Sequence, residues 1–153
     1  MPIKSFRGKI SHNTQETIPL STNNGAIGYK IVKFQVMGIN ENTPYENTLK
    51  VFKIPQTTLT EDIDFSDNTL LAAALYGDSS DSKTFAVQTV IFDNNVFNQD
   101  IYITYVGGAG FQNDINYHIE LEQIKLSLDE NTVATLTDIR NIKSNPPWAN
   151  NIF

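Results

Sequence analysis

Any side-chain chemistry in this chain has to start from two histidines, His12 and His118, because its 153 residues include no cysteine. Without Cys there is no thiolate nucleophile, no thiolate-held zinc or iron–sulfur centre and no disulfide framework. The densest polar constellation is His118-x-Glu120-x-Glu122. On a strand, alternate residues share one face and stand about 6.5–7 Å apart, so an imidazole and two carboxylates would project together. Such a trio could hold a metal or supply a carboxylate pair. Three ligands strung along one strand, however, lie too far apart to converge on one ion, so the trio reads as the wet face of an amphipathic strand.

Asp62-x-Asp64-x-Ser66 reproduces the first three ligand positions of a calcium loop. Its sixth position is Asp67 where glycine is needed, and its twelfth is Ala73 where glutamate is needed, so it reads as an acidic turn. Gly25-x-x-Gly28 and Gly107-Gly108-x-Gly110 resemble phosphate loops only in composition. Neither leads into a helix N-terminus, and hairpin turns account for both. Nucleophilic catalysis would need a hydroxyl beside a histidine oriented by a third group, and no nucleophile-elbow signature is present. We therefore expect no catalytic residue, no metal and no cofactor, and a protein that is not an enzyme.

The elements that would position these residues are short strands. The chain is rich in Asn and Thr, 40% hydrophobic and only 18% charged, a composition suited to pleated surfaces and tight turns. Phe6–Ile10 and Thr17–Leu20 read as opening strands, followed by a turn at Asn23-Asn24-Gly25. Gly28–Met37 alternates, with Val32, Phe34 and Val36 facing one way and Lys33 and Gln35 the other. Thr48–Ile54 reads as its partner, Pro55–Thr60 as loop and Asp62–Phe65 as a short strand. Leu70–Tyr76 reads as strand despite three alanines that favour helix, and Gly77–Ser82 as a polar loop. Thr84–Phe92 and Asp100–Val106 are β-branched and aromatic, and Gly107–Gly110 reads as a hairpin end. Asp114–Leu121 alternates strictly, and the slip at Gln123 toward Ile124 and Leu126 suggests a β-bulge.

One helix is expected. Ser127-x-x-Glu130 has capping-box spacing, Val133, Leu136, Ile139 and Ile142 follow on one stripe, and Pro146-Pro147 ends it. The expected architecture is all-β: an antiparallel β-sandwich or jelly-roll-like domain over residues 1–145 with this short C-terminal helix, then a tail over 146–153.

Eleven Lys and Arg against 17 Asp and Glu give a net charge of −6, which repels phosphate backbones and argues against a nucleic-acid partner. No apolar run of about 18 residues exists to span a membrane, and the basic N-terminus lacks the apolar segment of a signal peptide. Aromatic and apolar groups at the two ends are the candidate protein-interface residues: Met1, Pro2, Ile3, Phe6 and Arg7 in an N-terminal arm, and Trp148, Ile152 and Phe153 in the tail. The tail either packs back over its own sheet or inserts into a neighbour.

Several blocks read together resemble a family of small proteins encoded by marine bacteriophages. They are Thr22-Asn-Asn-Gly25 leading to Gly28-Tyr-Lys-Ile-Val-Lys-Phe34, then Ile63-Asp-Phe-Ser-Asp-Asn-Thr-Leu-Leu-Ala72 and Ile91-Phe-Asp-Asn-Asn-Val-Phe-Asn-Gln-Asp-Ile-Tyr-Ile-Thr104. Tyr117-His-Ile-Glu-Leu-Glu-Gln-Ile-Lys-Leu126 and Thr132-Val-Ala-Thr-Leu-Thr-Asp-Ile-Arg140 complete them. The resemblance implies a virion structural role and carries over no catalytic residue. The expectation is a minor capsid or decoration (cement) protein, made in the host cytoplasm and resident in the virion. Its partners would be other virion proteins, the major capsid protein foremost, with homo-oligomerisation, a trimer being one form. A tail fibre or adaptor component is the alternative within the particle. A carbohydrate- or ligand-binding β-sandwich is the alternative outside it, with Tyr29, Tyr76 and Tyr105 as candidate platforms that core packing explains equally well.

Overall fold

The computed structural model describes residues 2–21, 26–40, 43–78 and 87–127. Within them run eight strands: β1 (Ile3–Ile10), β2 (Thr14–Ile18), β3 (Ile27–Gly38), β4 (Tyr45–Phe52), β5 (Leu70–Asp78), β6 (Val87–Phe92), β7 (Ile101–Gly107) and β8 (Ile115–Lys125). They form two sheets, one ordered β1-β8-β3 and one ordered β2-β7-β4-β5-β6. Every pairing is antiparallel. The all-β expectation therefore holds. The expected helix from Ser127, the tail, the Asn23-Asn24-Gly25 turn and the candidates Met1, Trp148, Ile152 and Phe153 lie outside the described residues.

The two sheets share one core. Ile10, Ile31, Phe34, Ile115, Ile119 and Leu121 enter it from the three-stranded sheet, and Leu49, Val51, Leu71, Ile101, Ile103 and Tyr105 from the five-stranded one. Each fully buried aliphatic side chain contributes about 1.5–3 kcal/mol relative to exposure. In β8 the strict alternation does what it promised: Ile115, Tyr117, Ile119 and Leu121 are buried, and the polar residues between them are half-buried on the outer face.

β5 is a strand although Leu-Leu-Ala-Ala-Ala favours helix, because it is paired on both sides, Ala72 with Val51 and Phe92 and Ala74 with Leu49 and Val90. Two ladders outweigh an intrinsic preference worth a few tenths of a kcal/mol per residue. β4, beside it, is buried on both faces from Asn47 to Phe52.

Several sequence expectations are corrected. β1 begins at Ile3, so most of the supposed arm is an edge strand: Phe6 packs inward against the core while Ile3 and Arg7 face outward, exposed, and Pro2 precedes it. Asp62–Phe65 forms no strand; the chain turns at Asp64–Asp67, where the Asp67 N–H bonds the Asp64 carbonyl at 3.1 Å. The Asp64 carboxylate accepts from the Ser66 N–H (2.9 Å) and hydroxyl (2.6 Å), and Asp67 does the same for Thr69. Such short local bonds compete with a ladder and displace it. The bulge lies in β3, between Ile31 and Lys33, leaving Val32 out of register, while β8 runs unbroken through Gln123. Gly107–Gly110 closes no hairpin, since β7 and β8 belong to different sheets. This link crosses between them, with the Gly108 N–H bonded to the Glu46 carbonyl and Gly110 at a φ of 84°. The same holds for β2 and β3, which also lie in different sheets.

Candidate binding face

Strand register decides where the polar residues noticed in the sequence end up. His12 Nδ1 accepts the Gly107 backbone N–H at 2.9 Å, and its ring stands edge-on to Tyr105. A ring nitrogen committed to a backbone donor is unavailable as a general base, so His12 is a brace between the β1–β2 turn and β7. His118, Glu120 and Glu122 share the outer face of β8, as their spacing predicted. Their charges go to neighbours: Glu120 contacts His118 at 3.3 Å, and Glu122 meets Lys30 across the ladder at 3.6 Å. Among the described residues no group of three His, Asp or Glu is arranged to hold a metal ion. Tyr29, Tyr76 and Tyr105 are buried, so the aromatic platforms of a sugar-binding face are not these.

The register of β1, β8 and β3 assembles something the sequence order conceals. On the outer face Arg7, His118 and Gln35 form one cross-strand row, and Lys9, Asn116 and Met37 form the next. With Lys33 they line an open trough of about 790 Å³, its floor made by Gly8, Val36 and Tyr117, with Gln88 of β6 at one side. Arg7, Lys9 and Lys33 are exposed and, among the described residues, form no ion pair. No carboxylate lines the trough, although the whole chain carries −6. Met37 is 69% exposed at its rim. Three cations without an ion pair among the described residues, beside the amides of Gln35, Gln88 and Asn116, make a surface for carboxylate, phosphate or sulfate oxygens, with Glu120 across the ladder from Lys33 at its border. Only Arg7 and His118 of the trough residues were visible as candidates from sequence. The others needed the knowledge that β8 lies between β1 and β3.

The outer face of the five-stranded sheet is covered instead. Residues 53–69 fold over it, and Lys50, Phe52 and Thr104 are buried beneath. Lys50 donates to the Asp62 carbonyl at 2.6 Å and to Thr60 Oγ1 at 3.3 Å, with its ammonium 5.5 Å from the Phe52 ring. Burial lowers the Lys50 pKa, while the charges of Asp62 and Asp67 oppose that shift without cancelling it. The small cleft beside it, about 150 Å³, is bounded by Asp62, Asp64 and Asp67. The loop therefore shows solvent an acidic rim of Glu61, Asp62 and Asp64, with Phe65 projecting from it at 71% exposure.

No protein-family model and no curated protein matches the chain. Among the described residues no helix is long and apolar enough to cross a membrane.

One end of the molecule is a locked polar cluster. The Tyr45 hydroxyl accepts from the Ile39 N–H and donates to the Asp114 carbonyl, both at 2.8 Å, and its ring packs edge-on against Tyr76. The Tyr105 hydroxyl accepts from Asn47 and donates to the Asn113 carbonyl, and Asn113 in turn reaches the Pro44 carbonyl. At the other end the Asp100 carboxylate accepts from the N–H groups of Leu20 (2.7 Å) and Ser21 (2.9 Å) and the Ser21 hydroxyl, tying the exit of β2 to the entry of β7. These clusters fasten loops. Among the described residues the surface offers the trough, the acidic loop and an apolar cleft of about 270 Å³ lined by Phe65, Ile91 and Phe92.

Proposed function

We propose that this chain is a bacteriophage virion structural protein, a jelly-roll domain that works by binding other proteins, as a minor capsid or decoration protein on the phage head. The observation that carries the reading is the strand order. A jelly roll wires eight strands as 1-8-3-6 in one sheet and 2-7-4-5 in the other, and that architecture recurs in viral capsid domains. Here β1-β8-β3 and β2-β7-β4-β5 follow that wiring. β6 pairs with β5, yet it also lies against the free edge of β3, where Gln88 Oε1 accepts the Val36 N–H at 2.8 Å. In a jelly roll the sixth strand would pair with that edge; here β6 pairs with β5 in the second sheet and departs from the wiring at this one strand. The resemblance read from the sequence blocks is the second ground for the proposal.

The contact surfaces in this reading are the outer face and free edge of β1, with exposed Ile3 and Arg7, together with the C-terminal segment carrying Trp148, Ile152 and Phe153. The test is mass spectrometry of purified phage particles followed by cryo-electron microscopy. The protein is expected in stoichiometric amount on the head lattice, and its absence from purified particles would end the proposal. Density at the tail would replace the head assignment by the tail-adaptor one.

A further inference from the structure

We infer that the cationic trough on the three-stranded sheet is the docking site for the acidic 61–67 loop of a second copy of this chain. The two surfaces complement each other in detail. The trough carries Arg7, Lys9 and Lys33 without ion-pair partners among the described residues, and Met37 is exposed at its rim. The loop presents Glu61, Asp62 and Asp64 to solvent around Phe65, an aromatic ring 71% exposed. Opposite charges surround an apolar contact on both sides, the arrangement that steers and registers an interface. Within one molecule they cannot meet, because the trough lies on the outer face of one sheet and the loop covers the outer face of the other, with the shared core between. Only another copy can bring the loop to the trough.

The contact is heterologous: each copy uses a different surface on its partner, so it propagates head to tail into a ring or a chain. It does not depend on the virion reading, since purified protein alone tests it.

Two variants break one half each. Arg7→Glu with Lys33→Glu inverts the trough; Glu61→Lys with Asp62→Asn strips most of the loop's negative charge while keeping the Asp64 and Asp67 turns. All four residues are outside the core, and circular dichroism verifies that both variants fold. By analytical ultracentrifugation at low ionic strength, the wild type is expected to associate with rising concentration and to dissociate as salt is added. Each variant alone is expected to be monomeric. Their equimolar mixture is expected to form heterodimers and stop there, because one partner retains an intact loop and the other an intact trough. Phe65→Ser is expected to weaken wild-type association at least tenfold with the charges untouched. A wild type that stays monomeric at low salt overturns the inference. So does an oligomer that survives the loop variant, which would place the association on another surface, or a mixture in which the two variants fail to pair.

Discussion

Asp100 shows how much a single exposed-looking carboxylate can organise. Partial burial alone would raise its pKa, but the Ser21 and Leu20 N–H groups and the Ser21 hydroxyl favour the charged form and bring it below the usual carboxylate range. Its folded pKa is thus below its unfolded one. The stabilisation is complete above about pH 4 and disappears as pH falls through the folded value. Asp100→Ala is expected to cost about 1–2 kcal/mol at pH 7, read from urea midpoints, with the gap to wild type closing in acid. Lys50 has the opposite sign. Its pKa is lowered from 10.5, so the charged form carries a burial cost that is relieved as pH climbs toward that value. Lys50→Met removes the cost at every pH. The wild type is expected to gain on this variant as pH rises from the folded value toward 10.5, and parallel stability profiles would contradict it. The phenols of Tyr105 and Tyr117 are held up, chiefly by burial, with Glu16 adding its hydrogen bond and charge at Tyr117. In an ultraviolet titration both are expected to stay protonated past pH 10, the ordinary phenol value, until the fold itself opens.

At the scale of elements, close approaches decide which positions tolerate a side chain. A Cβ on Gly38 would stand 2.6 Å from Cε2 of Tyr45, whose hydroxyl is pinned at both ends, so the ring cannot yield. Gly38→Ala is expected to cost about 1–3 kcal/mol. Gly77→Ala, one ladder away from any crowding with its nearest neighbour at 4.0 Å, should be neutral or stabilising by about 0.5 kcal/mol. Thermal denaturation of the pair measures the contrast. The same elements show what the sequence could and could not convey. Strand identity was legible wherever period-2 alternation held, as in β8, and also at β7, where β-branched residues crowd together. It misled at Asp62–Phe65, where carboxylates close local turns, and at Gln123, because a bulge can be absorbed by either member of a pair. Glycine links announced a change of direction but not its destination, so crossings between sheets resembled hairpins. The trough was illegible for the same reason: Lys9, Lys33 and Asn116 come from three strands far apart in the chain, and nothing local states that they are adjacent.

Across the whole molecule, the two sheets are held together by more than apolar contact. Glu16, on β2 at the margin of the five-stranded sheet, accepts the Tyr117 hydroxyl of β8 at 2.7 Å, a polar staple beside the open edges of β1 and β2. Tyr117→Phe is expected to lower the unfolding free energy by about 1 kcal/mol with no change in the denaturant slope, because the ring still fills its place. Glu16→Gln keeps an acceptor and should cost less. Glu16 lies outside the trough, so Glu16→Gln should not alter self-association measured on folded protein.

The position of β8 also governs the order of events during synthesis. It is the last of the described strands, and it lies between β1 and β3, pairing Ile10 with Ile115 and Gly38 with that same residue. Until residues beyond 115 have left the ribosome, β1 and β3 have no partner in their sheet, and β7 joins β2 to β4 scarcely earlier. Such dependence on distant pairings makes folding slow and leaves unpaired strand edges exposed while the chain grows. A nascent chain stopped at residue 114 would present two orphan strands and half a core. Neighbouring chains on one polysome would hold each other's missing partners, and the speed at which β8 arrives would set how many copies escape that exchange.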